Sequence, residues 1–370
     1  MEIYWFALLI TILLAWALTS KYVSLGNGCV GKITYFRVWI AFLPLFLLAL
    51  FRWNVGVDVV YGTGYYYIEY TAIQAGMGNI LGYEPGFYWL MKLCNLLHLN
   101  LYLFYCVITI IFFLLFLKYI KNNTDNITLA AIIFFISDMY LFTFSTLRQA
   151  IGMAFFLYPM AEMINRNKYW KNWKWWICAI LAISMHISII YLVLVLVISR
   201  VKFRKRTLLY ITGLGCLLSP LINIILTRIM SYTYYFGKYF GSNEYRTEFT
   251  PTYFFIALVL FVPLLLFYKK FTERKNNYIL VNVSAFVVIL MLNSQALVMP
   301  YRIFPLFIPI FIVLITRLVS SLTNKKSIRL IAELYCIAPF VFLFINQYYL
   351  NGSSLLFKYK SIFQYFNQIW

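Results

Sequence analysis

Carboxylates are scarce in this chain: 11 Asp and Glu in 370 residues, against 31 Lys and Arg, with only 2 His. Reactions that need clustered acids or imidazoles have little to draw on. There is no HExxH, no grouping of His with Cys and no lysine-bearing phosphate loop, so metal hydrolysis and nucleotide hydrolysis are not indicated. Gly62-Thr63-Gly64 is too short to cradle a phosphate. No two acids stand in a D-x-D spacing, so a divalent-metal glycosyltransferase site is not visible, and neither metal nor cofactor is expected. The cysteines (Cys29, Cys94, Cys106, Cys178, Cys216, Cys336) are scattered, mostly inside apolar runs, and form no CxxC pair. They read as small core residues. Long polar stretches are missing too, which leaves no room for a separate soluble domain.

What is present is apolar surface. The chain is 64% hydrophobic and 11% charged, with a mean hydropathy of +0.82. Repeated runs of about 20 apolar residues predict membrane-spanning helices, and no alternating strand pattern supports a barrel. The expected fold is all-α, a polytopic bundle of about 11–12 transmembrane helices forming a single transmembrane domain over 1–370. The net charge of +20 sits in short loops between apolar runs. There it sets topology and meets anionic membrane lipid, not nucleic acid.

Spans are expected at 3–19, 33–51, 101–120, 127–144, 147–164, 208–229, 252–268, 278–299, 303–319 and 330–350. The first has no basic region before it and no clear cleavage site after it, and reads as a retained span. Segment 52–100 reads as an external loop in which Glu84-Pro85-Gly86 starts a short interfacial helix over 87–99. The tail 358–370 reads as a second interfacial helix. Segment 173–199 is long for one span and short for two, and basic clusters flank both ends. The positive-inside rule favours a broken, re-entrant segment that turns near Ser184-Met185-His186-Ile187-Ser188, with one long tilted helix as the alternative. That topology puts the N-terminus, the 52–100 loop and the Arg148 and Arg302 helix ends outside.

Within this apolar background, Ser145-Thr146-Leu147-Arg148-Gln149-Ala150-Ile151-Gly152 places a guanidinium beside a side-chain amide. A cation near the bilayer centre costs about 2.5–3.5 kcal/mol, so it is kept where it lines a polar cavity or is paired. The planar fork of Arg suits a phosphate; an interfacial anchor is the alternative reading. Other candidates are Arg52, Asp58, Glu84, His186 and Arg302. Arg52, closing a span, also fits an anchor. Asp138 and Glu162 read as neutralising basic neighbours, Glu333 as pairing with Arg329, Glu69 and Lys92 as solvated, and His98 as a surface residue. A set of arginines, one His and a few carboxylates suits an anionic leaving group stabilised by fixed cations.

Taken in order, Arg52…Gly56-Val57-Asp58, Glu84-Pro85-Gly86-Phe87, Ser145-Thr146-Leu147-Arg148-Gln149-Ala150 and His186-Ile187-Ser188 resemble the EpsG family, relatives of the Wzy-type bacterial polysaccharide polymerases. One departure is Val59-Val60 after Asp58. The resemblance implies a fold similar to the GT-C-type membrane glycosyltransferases. It implies an inner-membrane enzyme, without cofactor or metal, that moves a growing glycan from polyprenyl pyrophosphate to the non-reducing end of a lipid-linked repeat unit. Ligase-like transfer to another acceptor and flipping of a lipid-linked oligosaccharide are the alternatives. The implied partners are the polyprenyl-pyrophosphate-linked oligosaccharide and anionic lipid; a chain-length regulator is an open point. On this reading Arg148 and Arg302 bind the pyrophosphate with help from Arg52. His186, Glu84 or Asp58 takes the proton of the attacking hydroxyl, with His186 favoured. Gln149, Tyr301 and the aromatic loop 61–70 hold sugar.

Overall fold

The computed structural model describes residues 2–20, 33–166, 168–232, 251–297, 300–322, 325–350 and 359–364. Every regular element among them is helical. Four helices are long and apolar enough to cross a membrane: Glu2–Thr19, Leu101–Asn123, Tyr301–Leu322 and Ser327–Leu350. Two bent pairs raise the number to 6, and shorter apolar helices stand at Tyr35–Leu50, Trp173–Met185, Ile189–Ser199, Pro251–Leu266 and Asn277–Leu292. This is a multi-pass helical membrane protein, as its hydropathy predicts.

Two expected single spans are broken, each for a local reason. The 127–144 run divides into Ile127–Ile136 and Met139–Ser145, bent by 50°. Asp138 sits at the break in the left-handed region (φ 70°). A carboxylate in mid-span needs a partner, and its Oδ1 accepts a hydrogen bond from the Tyr348 hydroxyl. The partner is thus a phenol, where a basic neighbour was expected. The 208–229 run divides into Lys205–Leu217 and Ser219–Ile229, bent by 71°. Pro220 has no N–H to continue the ladder of the first half, and it sits in the first turn of the second half, where none is needed.

The chain forms two compact units. The first comprises Met1–Glu162, Asn167–Ile190 and Val341–Trp370. In it α1 (Glu2–Thr19) packs on α2 (Tyr35–Leu50) and α6 (Ile127–Ile136), and α2 packs on α5 (Leu101–Asn123). Phe42, Phe112, Phe113, Phe116 and Phe134 form the buried aromatic centre. Two further helices, α3 (Tyr65–Gln74) and α4 (Pro85–Leu96), belong to the 52–100 segment. The expected interfacial helix is therefore α4, which begins two residues earlier, at Pro85 in the first turn. His98 is exposed beyond its end, as expected. Of the tail, residues 359–364 form an antiparallel bridge between Ser361 and Arg52 and a 3-10 turn, in place of the expected interfacial helix there. The rest of that helix, like Cys29, lies outside the described residues.

The second unit comprises Met163–Arg166 and Tyr191–Phe340. Three of its arginines make internal contacts. Arg317 is buried and donates to the Oδ1 atoms of Asn277 (3.1 Å) and Asn165 (3.3 Å). Arg200 donates to the carbonyls of Met163 and Arg166, where a cation suits the end of a helix. Glu333 pairs with Arg329 one turn earlier, at 3.3 Å, as read from the sequence.

Candidate functional site

Glycines bring the site together. After α2, Gly56 adopts a φ of 117°, and a β-carbon there would lie 2.8 Å from the Phe144 carbonyl oxygen. The Arg52–Asp58 loop thereby lies directly on the end of α7 (Met139–Ser145), just before Arg148. Gly86 meets Ser184 so closely that a β-carbon would fall 2.8 Å from its carbonyl oxygen. That presses the first turn of α4 onto the end of α9 (Trp173–Met185). Gly152, one turn into α8 (Leu147–Asn165), leaves room for the Ala182 carbonyl. Segments far apart in sequence therefore converge in the first unit.

At their meeting point Glu84 acts as a hub. It is the cap residue of α4, yet its side chain makes no bond to its own helix. Oε2 instead accepts from Arg148 Nη1 at 2.7 Å. Oε1 accepts from the backbone N–H of Ile187 at 3.2 Å and lies 2.8 Å from His186 Nδ1. The donor at Ile187 is available because the helix has ended: His186 has extended backbone (φ −159°, ψ 124°) and α10 (Ile189–Ser199) starts afresh. The break falls inside the expected stretch, but the α9–α10 pair is not among the described helix pairs bent by more than 40°, so the return expected of a re-entrant segment is not seen. Gln149 Nε2 donates to Ser188 Oγ at 2.9 Å, tying the same break to α8.

Electrostatics follow from this geometry. Burial favours protonated Glu84, but the hydrogen bond and charge of His186 and the charge of Arg148 outweigh it and hold the carboxyl well below the usual carboxylate range. The Glu84 side chain is 7% exposed, Arg148 22% and His186 17%, so the two basic groups are the accessible members. Arg148 also stacks on Tyr83, its Cζ 4.3 Å from the ring centroid, and its backbone N–H points at the Tyr66 hydroxyl at 3.5 Å. Its Nε has no hydrogen-bond partner among the described residues.

The structure thus joins Arg148, Gln149, Glu84 and His186 in one cluster. Asp58 is buried nearby on the 3-10 turn Val57–Val59, close enough for its charge to act on Tyr83. Arg52 is turned inward. It donates to the Ala49 carbonyl (2.5 Å) and Thr109 Oγ1 (3.0 Å) and stacks over Phe144 at 4.5 Å. It closes the carboxyl end of α2 and is no interface anchor. Tyr301 and Arg302 lie on the short helix Pro300–Ile303 of the second unit.

Sequence reasoning missed Tyr83 and, above all, Glu69, and it read Tyr66 as part of a sugar-holding loop where the structure buries it. Read as solvated, Glu69 is 0% exposed. Its Oε2 accepts from Leu81 N–H at 2.8 Å, and burial raises its pKa against the pull of the Leu81 and Ile80 amides and of Arg148. Asn79 brackets Tyr83 through both backbone groups, each at 2.7 Å. Glu69 and Asn79 therefore fix the loop that delivers Tyr83 and Glu84 to Arg148. The signal was available: Glu69 is spaced i, i+3 from Tyr66 and i, i−4 from Ile73, on the inward stripe of α3.

Among the described residues, no three His, Cys, Asp or Glu side chains are grouped as metal ligands. The family model described as EpsG matches residues 35–361. No curated protein and no solved structure matches the chain.

Proposed function

Since the chain belongs to the EpsG family, whose membrane proteins serve exopolysaccharide biosynthesis, we propose that it is a membrane glycosyltransferase of the polymerase type. It transfers a growing glycan from polyprenyl pyrophosphate to the non-reducing end of a lipid-linked repeat unit. The observation that carries this reading is the Glu84 carboxylate bridging Arg148 and His186.

A carboxylate at Nδ1 favours the imidazole form that carries its proton there, which leaves Nε2 as the basic nitrogen. His186 is then the base, and Glu84, depleted of proton affinity by its partners, is a positioning residue. The acceptor hydroxyl gives its proton to Nε2 as its oxygen bonds the anomeric carbon of the donor glycan. The bond from that carbon to the pyrophosphate oxygen breaks, and the electron pair leaves with the pyrophosphate. Arg148 meets the developing charge with the guanidinium donors that Glu84 does not occupy. Its stacking on Tyr83 fixes the plane of the fork.

The test is turnover by purified protein given a lipid-pyrophosphate-linked repeat unit, with products resolved by length. A ladder of repeat-unit steps is the expected result. Bound but unlengthened substrate would overturn the polymerase reading in favour of transfer to another acceptor or of transport.

A further inference from the structure

We propose that the exposed rings of Tyr61 and Tyr65, with the half-buried Tyr67 and with the buried Trp53 packed behind Tyr61, form a stacking subsite for a pyranose ring of the glycan. The inference deepens the proposed function and rests on it. The sequence singles out the whole aromatic run 61–70, but the structure divides it. Tyr66 and Tyr70 are buried in the packing of α3 and cannot receive a ligand. Tyr61 is 45% exposed and Tyr65 55% exposed. The Tyr61 ring lies 5.4 Å from Trp53 and 4.8 Å from Tyr67, centroid to centroid.

The loop that presents Tyr61 is built to be rigid. Asn54 takes up a left-handed φ of 52°, which is uncommon outside glycine. In that conformation its Oδ1 accepts from the Tyr61 N–H at 2.8 Å. Gly64 closes the loop with its N–H on the Val60 carbonyl at 2.7 Å, and a β-carbon there would fall 2.6 Å from the Val60 nitrogen. Strain of this kind collects at functional sites. Here what it fixes is an exposed phenol at the tip of a tight loop.

Position and chemistry agree on the ligand. Tyr66, between Tyr65 and Tyr67 on α3, turns its hydroxyl to the Arg148 backbone, so Tyr65 and Tyr67 stand on the helix that touches the ion-paired cluster and Tyr61 on the loop that leads into it. A pyranose face presents C–H bonds with slight positive charge to the negative face of an aromatic ring, and both surfaces lose water on contact. The phenol hydroxyls can exchange hydrogen bonds with sugar hydroxyls. On this proposal, a glycan whose reducing end lies at Arg148 extends along the segment that carries these rings.

The experiment uses full-length protein in nanodiscs and a soluble probe. The probe is the oligosaccharide released by mild acid from lipid extracts of a host strain lacking this gene. Saturation-transfer NMR with irradiation of the aromatic protons should transfer signal to sugar ring protons. The double variant Tyr61→Ala/Tyr65→Ala should weaken binding by about tenfold or more, while Tyr61→Phe, which keeps the ring and loses only the hydroxyl, should lose far less. Unchanged affinity in the double variant would overturn the subsite. If the double variant loses thermal stability, Tyr61→Trp decides: it should bind at least as tightly, and weaker binding overturns the proposal. Absence of oligosaccharide binding to wild-type protein that still lengthens lipid-linked substrate removes the subsite alone. Absence of both removes the function as well.

Discussion

At the scale of single residues, the site turns on how one carboxylate divides its oxygens. Arg148→Lys keeps the charge but loses the planar fork that donates to Glu84 and stacks on Tyr83. Turnover should fall on the order of 10²-fold, with expression unchanged; near-normal polymer would remove Arg148 from the site. Glu84→Gln keeps the size and loses the charge. Taking a carboxylate from beside an imidazole lowers the affinity of the ring for a proton. The residual activity should therefore hold to lower pH on the acid side, in addition to a drop on the order of 10²-fold in rate. An acid limb that does not move would separate Glu84 from His186 in function. The depressed carboxyl has its own sign: the stability it contributes is present above the ordinary Glu value near pH 4.3 and is lost only as pH falls below it. Any loss between pH 8 and 5 thus belongs to other groups. These partners were legible in sequence only as separate polar residues in apolar surroundings. Which of them met was not, because the Glu84 contacts span 64 and 103 residues of sequence.

At the scale of elements, helices touch at glycines. Gly86→Ala and Gly152→Ala each put a β-carbon within 2.9 Å of a backbone oxygen, across the contacts of α4 and α8 with α9. Each should cost about 1–3 kcal/mol, read as a lowered Tm in detergent, with loss of turnover alongside. Gly213→Ala, in a helix position with nothing within 4 Å, is the control, and should stabilise by about 0.5–1 kcal/mol. Equal Tm values for all of these variants would show that the close approaches carry no weight. Neither α3 in the Tyr-rich segment nor the bridge and 3-10 turn of the tail at 359–364 was legible, but the apolar spans were, because apolar runs bounded by charge leave few alternatives. The kinks were less so. Pro220 announces one in sequence, but the bend at Asp138 depends on Tyr348, 210 residues away.

At the scale of the whole molecule, the excess of Lys and Arg over Asp and Glu sets orientation in the membrane. On the topology expected from it, a cysteine introduced at the exposed Gly78 should react with an impermeant thiol reagent on intact cells, in a background without native cysteines. One at Lys202 should react only after permeabilisation. The reverse pattern would invert the topology and put the cluster on the cytoplasmic face. The membrane class and the helical architecture were written in composition. The discontinuity of the first unit was not, because nothing in hydropathy says that Val341–Trp370 belongs with Met1–Glu162. That discontinuity has a consequence for biosynthesis. Trp53 N–H bonds the Lys360 carbonyl at 2.8 Å and Ile362 N–H the Phe51 carbonyl at 2.9 Å, so the segment leading into the Asp58 loop is latched by residues made much later in synthesis. Early helices can enter the membrane as they are made, but the latch cannot close until Lys360 and Ile362 have followed. A product that stops before Lys360 would carry the residues of the Glu84 cluster without that latch, and the cell would meet it as a substrate for membrane quality control.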